Sequence, residues 1–386
     1  MSFFSDVKGN PPGGPARPLS ANAFAPEAHG VLPEAAFLQA LCVERKRAER
    51  SRKRFVLMLL DFEPVRSGNR DVLVNKTVSA IRSSIRETDI AGWHREHSAL
   101  GVIFSELGTA DKGSLLGALA GKMTAVLRAV LSDEQFVQIN MTFHCFPDDW
   151  KPDDPGLWVA RLYPDLVRRD ETRKASRIIK RAIDLLGSLT AVILLAPVFL
   201  LIAITIKLSS PGPILFRQRR LGHYGSPFTC LKFRSMHAAT DAAIHRDYVT
   251  RLIAGRIDPQ PSNGNGKTVY KLTKDPRLTP IGAFLRKTSL DEVPQFLNVL
   301  WGDMSLVGPR PPIPYELDAY DVWHRRRLLE VKPGLTGLWQ VSGRSNLRFD
   351  EMVRLDLKYA ATWSVGLDMK ILLRTPRAVF SGSGAH

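Results

Sequence analysis

The sequence predicts an α/β chain in two parts: a βαββαβ unit in the N-terminal half and, after a linker, a membrane-associated α/β unit carrying a re-entrant helical hairpin. Three observations carry that prediction. Strand-like and helix-like apolar patterns alternate in order through residues 37–150. Residues 185–206 form a run of 22 without a charge, interrupted near its middle by Pro197. From Lys180 onward the pattern changes to basic loops, amphipathic helices and proline-rich turns, with no internal repeat.

Residues 1–34, rich in Gly, Pro, Ala and Ser, read as a disordered tail. Within the unit 35–150, residues 55–62 form an apolar strand, and residues 71–85 a helix with Val72, Val74, Val78 and Ile81 toward one side. Residues 90–97 and 99–104 form two more strands, 115–131 a second helix and 136–146 a fourth strand. Residues 151–176, with KPDDPG and a basic run, read as a linker, and 177–386 as the second unit.

The apolar run is long enough to cross a hydrocarbon core of ~30 Å. Pro197 argues against a plain crossing, because its ring has no N–H to give Ile193 and collides with that carbonyl, which predicts a kink or break. Five cations in 173–181 and four in 207–220 flank the run, so both ends favour the cytoplasmic side. A helix–break–helix over 182–208 that enters and leaves by one face satisfies both constraints. A kinked transmembrane anchor and a buried core helix are the alternatives.

At 386 residues the chain has room for two or three domains with real cores. No other stretch reads as apolar enough to cross a membrane, which excludes a polytopic membrane protein. A formal charge of +16 predicts attraction to something anionic. Nucleic acid is not the expected partner, since neither zinc-ligand spacing nor a helix-turn-helix pattern occurs. Cations bracketing an apolar run point instead to acidic membrane lipid or phosphorylated substrates. Cys42, Cys145 and Cys230 are far apart and odd in number, as expected of reduced cytosolic thiols. The N-terminus lacks an apolar signal region, so export of the first unit is not expected.

Chemistry concentrates in FLRKTSLDEVPQFLNV, residues 284–299, where Asp291 and Glu292 stand just ahead of a helix with Pro294 in its first turn. A positive helix end holds an aspartate ionised and welcomes a phosphate beside it. The same letters also fit an ordinary capping box of Ser289 with Glu292. Lys232 and Arg234, Arg277 and Arg286, and Arg310 in the stiff turn Gly308-Pro309-Arg310-Pro311 lie singly among Gly, Pro and apolar residues. Such spacing suits a phosphate pocket better than a solvated stripe.

Two resemblances follow from these stretches. LLDF, with Asp61, and ETDIAGWHREHSALGVIF resemble the GGDEF nucleotide-cyclase family. At the signature turn stand Arg95, Glu96, His97, Ser98 and Ala99, so the paired glycines and the acidic pair are absent, and only Asp61 remains to hold metal. The resemblance implies a degenerate GGDEF-like domain that makes no cyclic dinucleotide and serves control or assembly, by pairing two copies as a homodimer or docking a partner.

From about Lys180 the chain resembles the bacterial sugar transferase family, the monotopic polyprenyl-phosphate phosphoglycosyl transferases. The matching stretches are KRAIDLLGSLTAVILLAPVFLLIAITIKL, GPILFRQRRLGHYGSPFTCLKFRSM, KDPRLTPIGAFLRKTSLDEVPQFLNVLWGDMSLVGPRP, KPGLTGLWQVSGR and LDLKYAATWSVGLDMKILL. The resemblance implies transfer of a sugar-1-phosphate from a UDP-sugar to undecaprenyl phosphate, in the first step of exopolysaccharide, O-antigen or capsule assembly. It implies Mg2+, with Asp291 as nucleophile and Glu292 as the metal partner. Lys232, Arg234, Arg286 and Arg310 fall on basic positions of the family's motifs, as diphosphate or lipid-phosphate contacts. Lys332, Trp339 and Gln340 are expected at the nucleotide, unless Trp339 is simply core. Asp356 and Tyr359, one turn apart on a helix, are expected behind the reacting pair. The implied location is the cytoplasmic face of a bacterial inner membrane. Where many relatives have a serine before the proline of the membrane segment, this chain has Ala196. A membrane-anchored regulatory or scaffold protein that retains the fold is the alternative function.

Overall fold

Strand Phe55–Asp61 is apolar at its first six positions and buried at all six, because the sheet it belongs to is covered on both faces. The computed structural model describes residues 30–64, 70–108, 111–147, 161–236, 243–256, 260–261, 268–269, 278–343 and 346–380. The chain divides into two compact units, Met1–Asp149 and Trp150–His386.

In the first unit α1 (Glu34–Ser51) precedes β1 (Phe55–Asp61), α2 (Arg70–Ser84), β2 (Ile90–Arg95), β3 (Ala99–Phe104), α3 (Lys112–Val130), α4 (Asp133–Val137) and β4 (Asn140–Phe146). The strands pair antiparallel in the order β2-β3-β1-β4. Val56, Met58 and Leu60 alternate onto one face and share a core with Val78, Ile81, Met123 and Leu127 of α2 and α3. On the other face Gly92 and Gly101 are direct cross-strand partners. The gap left by two missing side chains is filled by Phe37 of α1, whose ring lies 2.4 Å from where a Cβ on Gly101 would stand.

The βαββαβ order is therefore present, with three differences. Helix α1 was not expected. Residues 31–33 belong to the fold and not to a tail, since Val31 is buried and Leu32 bridges Gly92; residues 1–29 lie outside the described residues. The fourth strand begins only at Asn140, because a capping box between Ser132 and Gln135 starts α4 first. Asp61 itself is ion-paired: Arg95 donates to Glu63 at 2.8 Å and approaches Asp61 Oδ2 at 3.4 Å.

The second unit contains α5 (Pro164–Thr172), α6 (Lys174–Ser209), β5 (Leu215–Leu221), β6 (Pro227–Phe233), α7 (Ala243–Ile253), β7 (Gln260–Pro261), β8 (Thr268–Val269), α8 (Pro280–Thr288) and α9 (Gln295–Trp301). It continues through β9 (Ser305–Val307), α10 (Val322–Glu330), β10 (Gly334–Thr336), α11 (Leu338–Ser342), α12 (Phe349–Thr362) and α13 (Val365–Phe380). β5 and β6 form an antiparallel hairpin, and β9 and β10 a short parallel pair. Part of the expected linker is helical, as α5; residues 151–160 lie outside the described residues.

The expected break at Pro197 is not found, because α6 is one helix of 36 residues with Pro197 inside it. Packing explains the continuity. Buried or half-buried positions recur at 184, 188, 191, 195, 198, 202 and 206, one stripe on both sides of the proline. Before the proline, Asp184 accepts from Ser305 Oγ at 3.0 Å and from Leu306 N at 2.9 Å. Gly187 there lets Leu306 approach within 2.8 Å of where a Cβ would stand. Beyond the proline, Ile202 and Ile206 pack on Phe233 and Leu285. The opposite face leaves Leu186, Ile193, Leu194, Leu200, Leu201 and Ile204 more than half exposed. By length and composition α6 is apolar enough to cross a membrane, and so is α3, where only one such segment was expected. Met123 and Leu127 of α3 are buried in the first unit's core.

Candidate active site

Asp291 and Glu292 lie in a tight turn between two helices that are fixed independently. Ser289, in the left-handed region at φ 59°, ends α8 and turns the chain into a single 3-10 turn, Leu290–Glu292. Pro294 then caps α9. The capping-box alternative is absent, since the Ser289 side chain makes no cap bond. Behind the turn, Asn298 of α9 treats the open edge of β6 as a strand would. Its Oδ1 accepts from Leu231 N at 3.0 Å and its Nδ2 donates to Thr229 O at 2.7 Å. At the far end of α9, Arg181 donates to the carbonyls of Val299 and Leu300 at 2.6 and 2.8 Å, and Lys332 to Gly302 O at 2.8 Å. Cations therefore sit at the negative end of this helix and the carboxylates ahead of its positive end.

The two carboxyls are held differently. Asp291 is 7% exposed; burial pushes it up to about 6, with the charge of Glu292 adding to the rise and Lys232 and Arg286 opposing it. Burial also opposes ionisation of Glu292. Lys232, donating to Oε1 at 2.6 Å, and then Arg310 and Arg220 outweigh it and hold that carboxyl well below its ordinary value. Arg286 comes from the last turn of α8, with its Nε held by Ser235 Oγ at 3.1 Å.

Arg310 sits in a loop pinned through its carbonyls. Pro309 O accepts from Gly334 N at 2.8 Å and Arg310 O from Arg327 Nη2 at 3.5 Å. Pro311 O accepts from Arg220 Nη1, and Pro312 O from Leu221 N at 3.0 Å. Three of these four residues are prolines without an N–H, so acceptors are most of what the loop can offer. Arg327 is oriented by Asp356 Oδ2 at 3.2 Å and by the Tyr320 hydroxyl at 2.7 Å. Burial raises the Asp356 carboxyl to about 7 against the pull of Arg327.

Of the residues singled out in the sequence, Asp291, Glu292, Lys232, Arg286 and Arg310 come together. Arg234 is engaged elsewhere: its two Nη groups donate to Ser210 and Pro211, tying the exit of α6 to the end of β6. Lys332 caps α9 instead of facing the pair. Trp339 is buried, and Gln340 donates to Leu335 O at 3.3 Å, behind the Gly308 turn. Asp356 reaches the site only through Arg327 and the Arg310 loop. Tyr359 belongs to another network, donating to Asp368 Oδ1 at 2.7 Å beside the Lys180–Asp368 ion pair, also 2.7 Å. Asp275, Pro276 and Arg277 lie outside the described residues. Arg220, Gln218, Asn298 and Arg327 were not singled out; only the basic run FRQRR hinted at the first.

With this geometry in place, comparison with known proteins defines the class. The family model described as bacterial sugar transferase matches residues 175–382, and the chain belongs to that family. The exopolysaccharide production protein ExoY of Rhizobium meliloti (strain 1021) is 40% identical over 210 residues, which cover 54% of this chain and 88% of that protein. The undecaprenyl-phosphate galactose phosphotransferase of Salmonella typhimurium is 39% identical over 223 residues, covering 57% of this chain and 44% of that one. The UDP-glucose:undecaprenyl-phosphate glucose-1-phosphate transferase of Escherichia coli K12 is 40% identical over 220 residues, covering 54% and 40%. The chain thus spans most of the first relative and less than half of the other two. Among solved structures, a DGC protein from Thermotoga maritima is similar to part of the chain, with a TM-score of 0.26 and 13% identity over 31% of this chain and 84% of that one. A sensory box/GGDEF family protein from Caulobacter crescentus gives 0.26 and 19% over 31% and 81%.

Proposed function

We propose that this protein transfers a sugar-1-phosphate from a UDP-sugar to undecaprenyl phosphate at the cytoplasmic face of a bacterial inner membrane. The observation that carries this reading is the buried Asp291 beside an ionised, lysine-held Glu292, with Arg286 and Arg310 arranged around the pair. In the first displacement an Asp291 carboxylate oxygen attacks the phosphorus next to the sugar. The bond from that phosphorus to the bridging oxygen breaks, and UMP leaves with the electron pair. In the second displacement an oxygen of the lipid phosphate attacks the same phosphorus, and Asp291 departs as carboxylate. Splitting the reaction keeps two anionic substrates from having to meet at once. Lys232, Arg286 and Arg310 supply fixed positive charge where charge accumulates on the phosphoryl oxygens.

Magnesium belongs to this reading. Among the described residues no three acidic, His or Cys side chains gather into a ready-made cation cage. The donors present, Glu292 with Asp291, suit an ion that is shared with substrate phosphates and retains several waters. When bound, it would neutralise phosphoryl charge.

Attachment from one side of the membrane is supported by the way α6 packs. Its segments before and after Pro197 are both fastened to the same unit, at Ser305 and Leu306 and at Phe233 and Leu285. The exposed apolar face between those ends is what the lipid would cover. The test is label transfer from a panel of radiolabelled UDP-sugars into extracted membrane lipid, with intact-mass analysis after donor alone. Wild type should label lipid and gain a phosphosugar adduct, and Asp291→Asn should do neither. An Asp291→Asn chain transferring at the wild-type rate would sink the covalent mechanism.

A further inference from the structure

Arg220 is 4% exposed, yet among the described residues no carboxylate hydrogen-bonds to it; Glu316 and Glu292 act on it only through space. Its hydrogen bonds go to neutral oxygens. Gln218 Oε1 accepts from Nε at 2.9 Å and from Nη2 at 2.8 Å, which turns Nη1 toward Pro311 O. A buried guanidinium normally finds a carboxylate, because an unpaired charge is costly to bury. Exchanging the Gln218 amide nitrogen for oxygen would provide one, in the same shape.

The location explains why the neutral side chain is useful. In the antiparallel hairpin Gln218 faces Cys230, Phe216 faces Lys232 and Arg220 faces Phe228, so Gln218, Arg220 and Lys232 share one face of the sheet. Lys232 on that face meets Glu292, and Arg220 pins the loop that presents Arg310. A carboxylate at position 218 would cancel a positive charge that otherwise acts across a low-dielectric wall into the site.

We propose that Gln218 is a positioning residue that orients Arg220 through a neutral oxygen and so leaves a buried cation with no directly paired carboxylate to act on the anionic diphosphate bound at Asp291 and Glu292. The ligand class rests on the transferase reading above. If Gln218 were only scaffold, glutamate would serve equally well.

The test uses the full chain in detergent micelles, titrated with inorganic pyrophosphate and with UDP, alongside thermal denaturation. Gln218→Glu should keep or raise Tm while weakening pyrophosphate and UDP about tenfold. Arg220→Lys, which keeps the charge and loses the fork, should lower Tm and weaken both ligands less than Gln218→Glu does. Unchanged affinity in Gln218→Glu overturns the proposal, and so does a loss in Arg220→Lys as large as that in Gln218→Glu. A wild type that transfers sugar phosphate but gives either of those results leaves the transferase reading standing. A wild type that transfers nothing while both variants behave as expected removes that reading and leaves the role of Gln218 intact.

Discussion

Asp291 and Glu292 are joined by one peptide bond, yet their carboxyls are driven to opposite acidities. Burial raises Asp291 from 3.8 to about 6, a cost the folded chain bears whenever that residue is ionised. Between those two values the folded state holds a proton that the unfolded state has released, so stability falls as pH rises through the interval. Asp291→Asn should therefore stabilise the chain by up to about 3 kcal/mol at pH 7 and leave it unchanged near pH 3, read from denaturation midpoints at both. Transfer should fall about tenfold per pH unit below about 6, as the attacking oxygen takes up its proton. A pH–rate profile flat to pH 5 would remove Asp291 from that role. The pair and Lys232 were legible in the sequence because SLDE and KFRSM are short local patterns. The partners of Arg234 and Lys332 were not legible because a cation's partner is not local: Arg234 closes on Ser210 and Pro211, and Lys332 on Gly302. Gln218 was invisible and Arg220 only a member of a basic run for the same reason, since the contact that fixes the pair is with Pro311, 91 positions from Arg220.

At the scale of elements, the βαββαβ order and the apolar character of α6 could be read from period and composition. Two things could not. Helix α1 is specified by the hole that paired Gly92 and Gly101 leave, which exists only once the strands are in register. The passage of α6 through Pro197 is decided by contacts on both sides of the proline, whereas sequence rules weigh only the lost hydrogen bond. That packing also separates two faces of α6 that an apolar run cannot distinguish. Leu194 and Leu201 lie on the outer face, 69% and 67% exposed. Replacing both by Lys should leave the fold intact, because neither packs in the core. It should release the chain from membranes, since each lysine costs about 3 kcal/mol in the apolar layer. Flotation with vesicles, compared with circular dichroism of the same samples, separates detachment from unfolding. A well-folded double variant that still floats would mean that α6 is not the attachment.

At the scale of the whole molecule, the parts with chemistry lie on one side of the division between units. Lys232, Arg286, Asp291, Glu292 and Arg310 all belong to the second unit, as do α6 and the entire family match at 175–382. A relative for which 210 aligned residues make up 88% of its length has little left in which to carry a counterpart of the first unit. The first unit has its own core on both faces of its sheet, and its Asp61 is engaged by Arg95. Each unit should therefore be separable. Residues 150–386, inserted in membranes, should transfer sugar phosphate within about twofold of the full chain, because no group that acts on substrate is removed. Residues 30–149 should unfold in one cooperative step on their own, bind no metal at Asp61 and form no cyclic dinucleotide, with Arg95 occupying the carboxyls a cation would need. The truncated second unit is the decisive sample. If it inserts in membranes and binds UDP like the full chain but transfers nothing, the first unit completes the reacting site, and the assignment of all the chemistry to residues 150–386 is wrong.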